Sequence, residues 1–120
     1  MRFLPRFGQR RAPRTPADAD RIALQQLEKL GADLTKPRHV IHFVYFADEG
    51  AARRAAAVIE QAGYATKLVA PDERYQEWRV HADSTRVMSE TTVDGFRSWF
   101  EHVASVHDGE YDGWEAARTP

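Results

Sequence analysis

The sequence predicts an α+β fold of the ferredoxin-like kind: a four-stranded antiparallel sheet in β-α-β-β-α-β order, with one more helix in front. Three observations carry this. The run His39 to Phe46 is entirely β-branched, aromatic or histidine, which is strand composition. Two segments of helical period follow strand-like runs, and each is followed by another such run. Gly63, Pro71 and Gly109 fall at the junctions, where turns are needed.

The leading helix is expected from Asp18 to Leu30, because Ile22, Ala23, Leu27 and Leu30 recur at helical spacing. Asp18 or Asp20 is a suitable cap, Gly31 a suitable stop, and Pro37 bars continuation. Strand one is His39–Phe46. Asp48 then caps a helix over 49–62, whose Ala52, Ala55, Ala56 and Ile59 give a small-residue face able to lie close to a sheet. Tyr64–Ala70 and Trp78–Asp83 alternate as strands two and three. Residues 84–90 read either as strand extension or as a loop. Thr91 or Thr92 caps a last helix reaching about His107, striped by Val93, Phe96, Phe100 and Val103. The fourth strand follows Gly109. Right-handed crossovers place the strands in the order 4-1-3-2.

Alternation assigns the faces. Ile41, Phe43, Tyr45, Thr66, Leu68, Trp78, Val80 and Ala82 are expected under the helices. Val40, His42, Val44, Lys67, Arg79, His81 and Asp83 are expected on the open face, although a one-residue slip would exchange the two sets. In the string Gly109-Glu110-Tyr111-Asp112-Gly113-Trp114-Glu115, simple alternation sets Tyr111 against Glu110, Asp112 and Trp114. His42, His81 and an acid of the last strand would then meet. Two histidines and a carboxylate can hold a metal, but solvated or acid-paired histidines are the plainer expectation, so no metal is assigned. His39, His102 and His107 are read as surface residues.

Charge is unevenly distributed. Residues 1–17 carry five arginines and no acid, whereas the rest of the chain has a net charge of −6. The expected organisation is a basic, disordered tail over 1–17 and one domain over 18–120. An acidic body repels phosphate backbones, so direct nucleic-acid binding by the folded body is not expected, and a basic protein partner is. The absence of cysteine removes disulfides, thiolate zinc sites and cysteine nucleophiles. No apolar run approaches a bilayer span and no secretory signal is seen, so a soluble cytoplasmic protein is expected. Catalytic motifs are missing as well. There is no Gly-x-Ser-x-Gly, no phosphate-binding glycine loop and no His-Glu-x-x-His.

Three segments carry a resemblance to a known family. They are Leu34-Thr35-Lys36-Pro37-Arg38 with His42-Phe43-Val44-Tyr45-Phe46, Ala62-Gly63-Tyr64, and above all Glu110-Tyr111-Asp112-Gly113-Trp114-Glu115. Over roughly residues 18–117 the chain resembles the RraB family, regulators of ribonuclease E activity. The resemblance implies a non-catalytic protein without cofactor that binds and inhibits ribonuclease E or a related endoribonuclease. The protein-binding residues expected from the sequence are Glu110, Asp112, Trp114, His42, His81 and Arg79, in a monomer or weak homodimer. The alternative is a small-molecule-binding domain or a dimeric α/β-barrel enzyme, with His42, His81 and Arg79 lining a cavity on the open sheet face.

Overall fold

Side-chain caps fix where each helix begins. The computed structural model describes residues 15–117. Thr15 accepts a hydrogen bond from the Asp18 amide and opens α1 (Pro16–Lys29), with proline at a first-turn position that needs no N–H. The first helix thus takes in the end of the expected tail, and residues 1–14 lie outside those described. Asp48 caps α2 (Glu49–Gln61) through the Ala51 amide at 2.9 Å. Ser89, rather than Thr91 or Thr92, caps α3 (Glu90–Val106) through the Thr92 amide at 3.1 Å.

The strands are β1 (Arg38–Phe46), β2 (Ala65–Val69), β3 (Trp78–Arg86) and β4 (Gly109–Ala116). They form one antiparallel sheet in the order β2-β3-β1-β4, so the β-α-β-β-α-β plan and the expected neighbours are observed. The ambiguous segment after Asp83 extends the strand as far as Arg86. α2 and α3 cover one face of the sheet. Ala52, Ala55 and Ile59 on α2 and Val93, Phe96, Phe100 and Val103 on α3 are buried there, as the two stripes predict. α1 packs beside α3 through Ala19, Ala23, Leu24 and Leu27.

The faces of β1 are the reverse of those expected. Val40, His42, Val44 and Phe46 point to the helices, whereas Ile41, Phe43 and Tyr45 lie on the open face. The register is unambiguous: His42 pairs with Ala82 and Val44 with Val80, both core residues. The β2 and β3 assignments hold, since Thr66 pairs with Ala82 and Leu68 with Val80.

β4 contains the second departure. His42 pairs with Trp114 and Val44 with Tyr111, so Asp112 and Gly113 together face the single residue Phe43. This is a β-bulge, and Gly113 adopts φ +96°, a conformation open to glycine and strained for other residues. The extra residue resets the alternation, and Trp114 turns inward on the same side as Tyr111. Replacing Gly113 by alanine is expected to destabilise the protein by roughly 1–2 kcal/mol, the cost of a β-carbon in left-handed backbone. Urea unfolding of Gly113→Ala measures it; unchanged stability would mean that the bulge does not depend on this glycine.

Candidate functional site at the open sheet face

The face that none of the described helices covers is built from alternate residues of four strands. β1 supplies His39, Ile41, Phe43 and Tyr45 along its centre. β3 adds Arg79, His81 and Asp83, paired with Tyr45, Phe43 and Ile41 respectively. Lys67 of β2 stands opposite His81. On the other side, the edge strand β4 presents Glu110 opposite Tyr45 and Glu115 opposite Ile41, with Asp112 in the bulge beside Phe43. The bulge brings three carboxylates onto one face at spacings of two and three residues. The surface is therefore aromatic in the middle and acidic along one edge.

Contacts within it are specific. The Phe43 and His81 rings meet edge-on at 4.8 Å. His39 Nε2 lies 3.1 Å from Asp83 Oδ2. Arg79 is 8% exposed, because the loop between β2 and β3 folds over it. Its guanidinium donates to Asp72 at 2.8 Å and to the Ala70 carbonyl at 3.3 Å, and it lies 4.3 Å from the centre of the Tyr75 ring. Asp72 also accepts from the Tyr75 and Arg74 amides, and these bonds, with Arg79, hold its carboxyl below the usual range. Arg79 thus organises a loop at the margin of the face.

Two of the residues expected on this face are absent from it. His42 and Trp114 are fully buried, at 0% exposure each. His42 and His81 lie on opposite sides of the sheet, so they do not share a cavity with Arg79 and do not converge on a cation. Among the described residues no group of three histidine, aspartate or glutamate side chains is placed to hold a metal.

The interior explains why both are inside. Trp114 Nε1 donates to Asp20 Oδ1 at 2.9 Å, and Arg97 reaches the same carboxylate through Nε at 2.5 Å and a terminal nitrogen at 2.9 Å. Asp20 and Arg97 are both buried, and their ion pair ties α1 to α3 and β4. Burial opposes the charge of Arg97, but the hydrogen bond and charge of Asp20 prevail and raise its pKa. Arg97 also lies 5.0 Å from the centre of the Tyr111 ring. The Tyr111 hydroxyl meets His42 Nδ1 at 2.8 Å, and the imidazole stacks on Phe100 at 4.2 Å. Burial first, then the positive charges of Arg86 and Arg97, push the His42 pKa down to about 3. In place of a solvated or acid-paired histidine, His42 is thus a neutral imidazole in an aromatic box. The sequence offered Asp20 as a cap for the first helix, a place that Thr15 takes, and did not single out Arg97. Their signal was a charged side chain within the apolar stripe of each helix.

Two outcomes follow from this interior. Asp20→Ala leaves the buried Arg97 with only the half-exposed Glu101, 3.9 Å away, as counter-charge and Trp114 without this acceptor, and is expected to cost about 3–5 kcal/mol in a denaturant titration. His42 binds its proton only near pH 3 in the folded state but near 6.5 when unfolded. Stability is then unaffected by this group above pH 6.5 and falls by about 1.4 kcal/mol per unit as the pH drops from there towards 3. The double variant His42→Phe, Tyr111→Phe removes both polar partners together. Its stability should be flatter between pH 6.5 and 4.5 than that of the wild type, and parallel curves would show that His42 is not the group responsible.

Among the described residues no helix is long and apolar enough to cross a membrane. No curated protein matches the chain. A family model does, that of the regulator of ribonuclease activity B, over residues 17–116, from the first turn of α1 to the last residue of β4. The match takes in every helix and strand described above, and the chain belongs to the RraB family.

Proposed function

We propose that this chain is a non-catalytic regulator that binds ribonuclease E or a related endoribonuclease in the cytoplasm and lowers its activity, thereby modulating RNA turnover. The family match across the whole folded domain carries the reading. The open sheet face is the proposed docking surface, with Glu110, Asp112 and Glu115 meeting a basic segment of the nuclease. Arg79 and His81 flank the contact. The placement of the three acids on one side of an edge strand supports this, because carboxylates in a row attract a cationic peptide and repel RNA. The half-buried rings of Phe43 and Tyr45 next to them are aromatic side chains of the kind found at interface centres. Trp114 and His42 serve the contact indirectly in this reading, by fixing the register of β4. The role requires no cofactor, and a monomer or weak homodimer suffices for it.

The test uses the full chain with purified ribonuclease E and a fluorogenic RNA substrate. The wild type should bind the nuclease, slow cleavage and bind more weakly as salt is raised. The variant Glu110→Lys, Asp112→Lys, Glu115→Lys changes only side chains on the outer side of β4. It should remain folded and lose roughly tenfold or more in affinity, about 1.4 kcal/mol or more. A wild type that neither binds nor slows the nuclease removes the proposed partner. A folded variant that binds as the wild type does removes the proposed surface instead.

A further inference from the structure

On the opposite layer of the molecule, a cleft of about 330 Å³ opens where the end of α2, the first turns of α3 and the end of β3 converge. Its walls include Tyr64, Arg86, Thr91, Thr92, Phe96 and Trp99. The volume lies at the small end of the range for small-molecule sites. Tyr64 and Trp99 stack at 5.8 Å with their planes 22° apart, forming a continuous aromatic wall. Arg86 lies over the Tyr64 ring at 4.8 Å and donates from Nε to the Ser84 hydroxyl at 3.3 Å. Among the described residues no carboxylate pairs with it. The nearest helix start adds to the local positive field, since Thr91 and Thr92 belong to the first turn of α3. Glu90, in that same turn, lines a separate groove between α1 and α3 and lies 3.7 Å from Arg21.

Gly95 points to a use for this space. It sits inside α3, where glycine weakens a helix relative to alanine. A β-carbon built on it would meet nothing within 4 Å, so packing of the fold does not demand glycine there. It also lines the cleft, and any longer side chain at 95 would project into it. A fold with a cation that no described carboxylate neutralises, an aromatic wall and an unfilled helix position has the parts of an anion site with an apolar body.

We propose that this cleft binds a carboxylate attached to an aromatic or similarly flat apolar group, with the carboxylate on Arg86 and the apolar group against Trp99 and Phe96. The site is separate from the open sheet face and does not depend on the nuclease reading. The same chemistry is offered by a free aromatic acid and by the C-terminal residue of a peptide.

NMR titration of the full chain tests it, following the Trp99 indole N–H, with hydrocinnamate, its neutral amide, N-acetyl-dialanyl-phenylalanine, the C-terminal amide of that peptide, and inorganic phosphate. Saturable shifts at Trp99 with either acid, and none with its amide, are expected. A response to hydrocinnamate alone identifies a metabolite site, and a tighter response to the peptide acid identifies a C-terminus reader. Arg86→Gln should weaken binding by roughly tenfold or more. Gly95→Leu should abolish it while melting no lower than the wild type, which separates loss of the cleft from loss of the fold. Equal shifts from acid and amide, equal binding of phosphate, no shift at all, or an intact response in folded Gly95→Leu would each overturn the proposal.

Discussion

The Asp20 carboxylate governs the geometry of this molecule. It sits on a helix outside the β-α-β-β-α-β plan, yet it accepts hydrogen bonds from Arg97 on α3 and Trp114 on β4. A buried ion pair contributes little net stability once desolvation is counted, but it penalises heavily any arrangement in which one member lacks its partner. Its consequence here is selection among packings. α1 must lie where Asp20 meets Arg97, and β4 must carry Trp114 on the inner side. The apolar contacts of Ala23, Leu24 and Leu27 give α1 its adhesion, and Asp20 determines where that adhesion is used.

The inward Trp114 in turn explains the acidic edge. Tyr111 is also inward, and the two stand three positions apart along the chain where a regular strand would allow two or four. Only the bulge at Asp112 and Gly113 reconciles them, and Gly113 supplies the positive φ that it needs. Its effect on the outer side is as large as on the inner one. Without the extra residue, Glu115 would share a side with Tyr111 and face the core. With it, Glu110, Asp112 and Glu115 all face outward. Charges on an edge strand also discourage pairing with another sheet, so the same three acids guard the edge and present a surface.

What the sequence disclosed depended on how much contrast each stretch carried. The stripes of α2 and α3 contrast apolar with polar residues, and their burial follows. In β3, Val80 and Ala82 alternate with Arg79 and His81, and its faces were legible. β1 offers no such contrast, because Val40, Val44 and Phe46 are as apolar as Ile41, Phe43 and Tyr45. The histidine then misled. His42 reads as a surface residue until Tyr111, 69 positions away, is known to meet its Nδ1. The bulge, the Asp20–Arg97 pair and the cleft at Arg86 are equally non-local. Each is defined by residues from separate elements, and periodicity within one element contains no trace of them. The candidate surface was accordingly legible in part: Glu110, Asp112, Arg79 and His81 lie on it, Trp114 and His42 do not, and Glu115 joined it through the bulge.

The two proposed sites occupy opposite layers, and His42 stands between them. Its ring packs against Tyr64 and Phe96, which wall the cleft, and its strand pairs with β4 at Trp114. Protonation is nonetheless a poor channel from one site to the other. A carboxylate bound at Arg86 would offset a charge that lowers the His42 pKa, but burial is the larger cause and would persist. The imidazole would remain neutral at physiological pH with the cleft full or empty. Communication between the layers must therefore pass through packing, by way of Phe96, which contacts both His42 and Trp114. Close-packed interiors transmit displacement only when a side chain changes position, and Phe96 is wedged between two rings that are themselves fully buried. The physical expectation is two sites that bind independently, each free to respond to its own partner.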